Sequence, residues 1–158
     1  MVDFAALRRK MNDTTPEERV ARREAALIAE DDALFAGKKI QRMPVEIFDD
    51  MRHDVLGAKR IAAATEKGPI ALVFPGYRGE LVETSLIAEM QTIRQARLAA
   101  GTDTDAPVMT IIVEGFWKQR SWTTRDGTRA AAWDFTVAKW HYQPASSQAF
   151  VEVGNIPA

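Results

Sequence analysis

Aromatic rings and cations alternate along residues 114–129, which read E-G-F-W-K-Q-R-S-W-T-T-R-D-G-T-R. If this segment is extended, every second side chain lies on the same face. One face then presents, in order, Phe116, Lys118, Arg120 and Trp122. Flat rings stack on unpaired bases, at about 1–3 kcal/mol per base, while cations between the rings meet the phosphates. The spacing therefore favours contact with a single-stranded nucleic acid.

The charge of this segment differs from that of the chain around it. Residues 116–129 contain four cations and a single acid, Asp126, whereas all 158 residues together carry a formal net charge of −1. An anion-binding surface on such a chain has to be local. We expect Trp122 and Phe116 to stack on bases. The residues expected to neutralise phosphates are Lys118, Arg120, Arg125 and Arg129, and further candidates are Tyr77, Arg78 and Trp140.

A purely structural interpretation competes with this one. Cations at a hairpin tip often serve solubility, and one or two tryptophans of a small domain usually belong to its core. For Trp117 and Trp133 we favour the core. Trp122 lies beside the expected turn on the cationic face, where burial is difficult, so we expect it to be exposed. Phe116 fits either role, and Tyr77 and Arg78 would belong to a loop at residues 76–79.

The elements that position these residues are clearest in the second half. Residues 108–122 and 130–142 are rich in β-branched and aromatic residues, and Asp126-Gly127 between them is a strong hairpin signal. Upstream, residues 70–74 form an apolar run that predicts a buried strand. A helix is predicted over residues 84–100, ended by Gly101, and a last short strand over residues 150–153.

The first half is less regular. Thr15, Pro16 and Glu18 have the form of a helix start, and Gly37 is a plausible stop for a charged helix over residues 16–36. We therefore divide the chain into a helical extension, residues 1–37, and a second unit, residues 38–158. Within the latter, residues 45–48 suggest a short strand, and residues 60–64 suit either a strand or a helix.

The hairpin resembles a known family. The pattern V-E-G-x-x-K-x-R-x-W-T-x-x-D-G, residues 113–127, is similar to a segment of bacterial single-stranded DNA-binding proteins. The matching positions are Glu114, Gly115, Lys118, Arg120, Trp122 and Gly127. The resemblance extends at most over residues 70–142. It implies a mainly β, α+β chain: a five-stranded Greek-key barrel of the OB-fold type, here with a helical N-terminal extension.

The resemblance also carries functional expectations. It implies non-sequence-specific binding of single-stranded DNA, or of RNA, by a protein that assembles as a homo-oligomer. The first two barrel strands would have to fall within residues 38–66, after a helical segment that the family lacks. A specialised member from a phage or plasmid, serving replication or recombination, would fit these departures. Two rival interpretations use the same barrel: a protein-interaction module, and an accessory subunit of a recombination or nuclease system.

Catalytic and metal-binding signals are weak. The sequence has no cysteine, which excludes disulfides, zinc ribbons, iron–sulfur clusters and thiol catalysis. Its two histidines, His53 and His141, are far apart, and residues 76–79 lack the Gly-Lys-Ser/Thr of a phosphate loop. We expect no enzymatic activity, cofactor or metal. The sequence shows neither an apolar run of membrane-spanning length nor a secretory signal, so we expect a cytoplasmic protein.

Overall fold

The computed structural model describes residues 4–5, 15–53, 58–102, 106–144 and 148–157. Its helices are α1 (Pro16–Phe35), α2 (Gly76–Val82) and α3 (Ala88–Ala100), with a π-helical turn, Glu83–Ile87, between the last two. Its strands are β1 (Gln41–His53), β2 (Lys59–Thr65), β3 (Gly68–Phe74), β4 (Met109–Thr123), β5 (Arg129–Tyr142) and β6 (Val151–Gly154). The mixed α+β class expected from the sequence is confirmed.

Helix α1 begins as the sequence predicts. The hydroxyl of Thr15 accepts a hydrogen bond from the backbone N–H of Glu18 at 3.1 Å, and Pro16 occupies the first helical position. Glu17 and Glu18 place negative charge at the amino end, where the helix dipole favours it. Among the residues of α1, only Asp31 and Phe35 are buried, so the helix packs most closely through its last turns.

The six strands form one sheet in the order β3-β2-β1-β4-β5-β6, with antiparallel neighbours throughout. An additional parallel pairing joins β3 to β5 through Ala71↔Asp134, Leu72↔Phe135 and Val73↔Thr136. The pairings therefore lead from β1 through β2, β3, β5 and β4 back to β1, and the sheet is partly ring-like. Strand β6 extends the edge of β5 beyond the end of β3.

The main hydrophobic core lies inside the ring formed by strands β1 to β5. Each of its five ring strands contributes a completely buried side chain: Ile47, Ile61, Leu72, Ile111 and Phe135. Leu86 from the π-helical turn and Val82 from α2 belong to the same cluster. Burying an aliphatic or aromatic side chain of this size stabilises a fold by about 1.5–3 kcal/mol, so this cluster supplies the main driving force for closing the sheet.

Gly115 marks a point where β4 and β5 approach closely. The register shifts between Glu114↔Lys139 and Gly115↔Val137, so that Ala138 has no partner on β4. A Cβ atom at position 115 would lie 1.9 Å from the carbonyl oxygen of Thr136. Because that oxygen belongs to the backbone of a paired strand, it cannot move away cheaply. The glycine of the Glu-Gly pair is therefore required by packing.

Two uncertain regions of the sequence are resolved by the fold. The predicted short strand at residues 45–48 lies within the long β1, and residues 60–64 are a strand, β2. Helix formation begins at Gly76, whereas the sequence indicated a loop at residues 76–79 and a helix from residue 84. The carbonyl of Pro75 accepts hydrogen bonds from the N–H groups of Arg78 and Gly79, which starts the helix early. None of the described helices is both long and apolar enough to cross a membrane.

The hairpin of β4 and β5 projects beyond the ring. Pairing of β4 with β1 ends at Gly115, and pairing of β5 with β3 begins at Asp134. Past these points the two strands pair only with each other, as far as Thr123↔Arg129. We call residues 118–133 the hairpin arm. A two-stranded ribbon without further neighbours leaves both of its faces open, so the arm presents side chains in two directions.

Candidate nucleic-acid interface

Trp122 lies near the tip of the hairpin arm and 40% of its surface is exposed. Its partner across the ribbon is Ala130, which is too small to cover an indole. The guanidinium carbon of Arg120 lies 4.6 Å from the centre of the Trp122 ring, within the range of a cation–π contact. The predicted exposure of Trp122 is confirmed, and the ring is held in place by its cationic neighbour.

Arg120 is itself fixed by Asp134. The Nε of Arg120 donates to Oδ2 of Asp134 at 3.0 Å, and the same carboxylate accepts a hydrogen bond from Arg60. Asp134 is buried, whereas 43% of the Arg120 side chain remains exposed. One carboxylate between two guanidinium groups leaves one positive charge in excess. Arg120 therefore supports the Trp122 ring and still presents positive charge to solvent.

The tip of the arm is ordered by hydrogen bonds to Asp126. Its Oδ1 accepts from the hydroxyl of Thr124 and from the N–H of Thr128, the latter at 3.1 Å. These bonds, with that of Thr124 first, hold the pKa of Asp126 below its usual value of 3.8. Gly127 closes the turn with a φ of +83°, in the left-handed region that favours glycine. The single acid of the segment is thus engaged within the turn.

The other cations of the arm point to solvent. Lys118, Arg125 and Arg129 are exposed, and no ion pair involves them within the described part of the chain. Together with Arg120 they are the four phosphate-neutralising residues expected from the sequence. The structure brings all four to one ribbon beside Trp122.

Phe116 is not available for stacking, and its prediction as a base platform is wrong. Only 7% of the residue is exposed, because α1 packs over this part of β4. The ring of Phe35 meets that of Phe116 edge-on, with centroids 5.4 Å apart, and Ala138 completes a second small cluster. The sequence gives no sign of this contact, since the two rings are brought together by tertiary packing.

Arg78 is a structural residue rather than a surface cation, so its prediction as a phosphate ligand is wrong. It is 3% exposed. Its Nε donates to the carbonyl of Ala138 at 2.7 Å, its Nη1 lies 3.4 Å from Oδ2 of Asp31, and its Nη2 donates to the Asn155 carbonyl. The guanidinium also lies 4.3 Å from the ring centre of Phe35. Arg78 therefore joins α1, α2, β5 and the C-terminal segment.

Tyr77 is bonded to α1, and Trp140 differs from its expected role. The hydroxyl of Tyr77 donates to Oε1 of Glu24 at 2.8 Å, a bond that raises the pKa of Tyr77 above its usual value of 10 and ties α2 to α1. Trp140 is completely buried and packs edge-on against Phe74, with ring centroids 5.1 Å apart. The prediction that Trp140 contacts nucleic acid is wrong.

Trp133 is the residue that the sequence interpretation missed. It was assigned to the core, yet 56% of it is exposed. It lies one position before Asp134, where β5 first meets β3, and so has a paired strand, β4, on one side only. Trp117, assigned to the core as well, is partly buried and packs edge-on against Phe135 at 5.1 Å. The run of alanines at 130–132 before Trp133 was the one sequence sign of a thin, uncovered ribbon.

The described residues contain no cluster of three or more His, Cys, Asp or Glu side chains that could hold a metal ion. His141 is engaged by Glu114, with Nε2 and Oε2 2.7 Å apart. The side chain of His53 lies outside the described residues.

Comparison of the sequence with protein-family models finds no match, and a search of curated proteins finds none either. The resemblance to bacterial single-stranded DNA-binding proteins therefore stays a prediction. The geometry of the hairpin arm is the observation that bears on function.

Proposed function

We propose that this protein is an OB-fold, non-catalytic protein that binds single-stranded DNA without sequence specificity. The strand pairings support the fold assignment. An OB-fold is a five-stranded, partly open Greek-key barrel, and here five strands are joined in a circuit by one parallel and four antiparallel pairings. The helical segment from Gly76 to Ala100 lies between the third and fourth strands.

The observation that carries the functional proposal is the exposure of Trp122 among the cations of a projecting ribbon. A ring on a protruding arm is accessible to an extended, unpaired chain, and every base has a π-face on which it can stack. Arg125 and Arg129 flank the turn and Lys118 lies at the base of the arm, at positions suited to successive phosphates. Neither contact reads the edge of a base, so the binding is non-specific in sequence.

An arm that presents an exposed indole ring and cations fits a binding role, and nothing in the described geometry favours catalysis. Protein docking through the same hairpin is the rival role, and absence of oligonucleotide binding would favour it. The proposal includes assembly of more than one copy of the chain, which light scattering measures directly.

The test is a titration with an unlabelled dT oligonucleotide, followed by tryptophan fluorescence, and in parallel with a fluorescein-labelled oligonucleotide, followed by anisotropy. Releasing counterions from four phosphate contacts gives a slope of log K against log salt concentration of about −2.8. Affinity then falls about 50-fold between 50 and 200 mM salt. A matched rU oligonucleotide measures the preference for DNA over RNA.

Trp122→Ala is expected to weaken binding by about 5- to 150-fold, the loss of one stacked base. Trp122→Phe keeps a ring and should retain most of the affinity. Arg23→Ala, which removes an exposed arginine of α1, is the matched charge control and should leave the slope unchanged. Absence of binding at 50 mM salt by both readouts refutes the proposal and favours the protein-docking role.

A further inference from the structure

Two grooves meet at the base of the hairpin arm, and each takes its lining from both faces of the ribbon. The first, of about 820 Å³, separates the β2–β3 turn from the arm and includes Lys67, Ile70, Trp117, Arg120 and Trp133 in its lining. The second, of about 500 Å³, separates the segment after α1 from the arm and includes Lys38, Lys39, Trp117, Lys118 and Trp133. Both grooves share the two tryptophans, so Trp133 stands between them.

The position of Trp133 follows from the pairing of the ribbon. Trp122 lies opposite Ala130, and residues 130, 132 and 134 therefore share its face. Trp133 alternates to the other face, together with its partner Gln119. The arm thus carries an exposed indole on each of its two faces.

Charge complementarity indicates what the grooves accept. Five cations line them, namely Lys38, Lys39, Lys67, Lys118 and Arg120. The single acid of the lining is Asp134, whose carboxylate is already bound by Arg60 and Arg120. A ligand that fits this surface needs negative charges at both ends and a flat apolar group between them. An unpaired polynucleotide has this repeat of phosphates and bases.

We propose that a single DNA strand crosses the end of the ring through both grooves, with one base stacked on Trp133. Lys38, Lys39 and Lys118 neutralise phosphates on one side of that base, and Lys67 and Arg120 do so on the other. This inference rests on the proposed function and extends it. The strand contacts both faces of the arm, with Trp122 and Trp133 as separate stacking platforms, instead of stacking on the Trp122 face alone.

The two binding paths differ in their salt dependence. The arm alone offers four cations, Lys118, Arg120, Arg125 and Arg129, and the grooves add Lys38, Lys39 and Lys67 to reach seven. With about 0.7 units of slope per phosphate contact, the expected slope is about −4.9 for the path through the grooves and about −2.8 for the arm alone. Between 50 and 200 mM salt these slopes correspond to losses in affinity of about 900-fold and about 50-fold.

The experiment compares the full-length protein with Trp133→Ala, Lys38→Ala/Lys39→Ala and Lys67→Ala, using a dT oligonucleotide and anisotropy. We expect Trp133→Ala to weaken binding by about 5- to 150-fold, the double lysine variant to reduce the slope by about 1.4, and Lys67→Ala to reduce it by about 0.7. Arg22→Ala/Arg23→Ala, on the exposed part of α1, is the matched double control and should change neither.

All of the substituted side chains are exposed, so circular dichroism should show unchanged folding. One outcome overturns this inference and leaves the proposed function intact. In that outcome the three groove variants keep the wild-type affinity and slope, while Trp122→Ala binds more weakly. No binding by the wild type overturns both. A change in molecular mass on light scattering for Trp133→Ala, with unaltered DNA affinity, would identify the grooves as a contact between copies of the chain and would also overturn the inference.

Discussion

Arg78 should be essential for stability and unimportant for DNA contact. Its substitution therefore distinguishes residues that stabilise the fold from residues that bind DNA. Its guanidinium makes the buried ion pair with Asp31 and the hydrogen bond to the carbonyl of Ala138. Ala138 is the residue skipped in the β4–β5 register, and its carbonyl accepts the hydrogen bond from the Arg78 Nε. The substitution Arg78→Ala removes both interactions at once.

The magnitude follows from the burial of the pair. Arg78 is 3% exposed and Asp31 is 5% exposed, so solvent screens their attraction little. Removing one member of a buried pair leaves the other charge without a partner and costs about 3–5 kcal/mol. Since small proteins unfold with only about 5–15 kcal/mol, the loss is a large part of the total. With an m-value of about 2 kcal/mol/M, the urea midpoint falls by about 1.5–2.5 M.

The stability lost in Arg78→Ala should depend on pH. Burial raises the pKa of Asp31 above its usual value of 3.8, and the hydrogen bonds and charge of Arg78 act in the opposite direction. Without Arg78 this pKa rises further. A carboxyl with a raised pKa in the folded state favours folding at low pH and loses that contribution as the pH rises through the folded pKa. The deficit of Arg78→Ala should therefore be smaller at pH 4.5 than at pH 7.

The assay is equilibrium urea unfolding, followed by circular dichroism and tryptophan fluorescence, at both pH values. Arg23→Ala, an exposed arginine of α1, is the control and should stay within about 0.5 kcal/mol of the wild type. A loss of less than 1 kcal/mol by Arg78→Ala, together with weaker oligonucleotide binding and a slope reduced by about 0.7, would refute this reasoning. Arg78 would then be a phosphate ligand, as the sequence suggested.

Three further predictions concern the packing around the arm and the core. Gly115→Ala should strongly destabilise the fold, since the new Cβ would lie 1.9 Å from the Thr136 carbonyl oxygen; urea unfolding measures this, and a change below 1 kcal/mol contradicts it. Phe116→Ala should cost about 3–5 kcal/mol of stability, because the Phe116 ring packs on Phe35. The DNA affinity of the folded protein should stay the same. A loss of affinity without a loss of stability would show instead that Phe116 is a stacking residue. Burial, more than any other cause, raises the pKa of the Tyr142 phenol above 10, so wild-type stability should fall as the pH rises past 10, whereas Tyr142→Phe should lose less; an equal fall in the urea midpoints of the two proteins between pH 7 and pH 10.5 would argue against this.

The local signals of the hairpin and of α1 were sufficient to predict those elements. The Asp-Gly turn and the β-branched strands place β4 and β5 within one residue of their observed bounds, Met109–Thr123 and Arg129–Tyr142. The Thr-Pro-Glu-Glu start of α1 is confirmed by its cap hydrogen bond. Such features depend on residues that are close in sequence, which is why they are readable without knowledge of the fold.

The predictions that failed depend on distant packing. Phe116 is covered because α1 returns to the outer face of β4, and Trp133 is uncovered because β5 has not yet met β3 at that position. Arg78 is buried by parts of the chain that are far from it in sequence. Alternation along a strand identifies which face a side chain occupies, but whether another element lies on that face is decided by the complete topology.

The circuit of strands has a consequence during synthesis. Strands β1 and β3 find partners in β4 and β5, which are made only after α3 has emerged. At about 5–20 residues per second, the ribosome needs several seconds to deliver them. During that interval the nascent chain presents unpaired strand edges of the kind that recruit other chains. A chaperone that covers β1 and β3 until translation ends should therefore raise the yield of soluble protein.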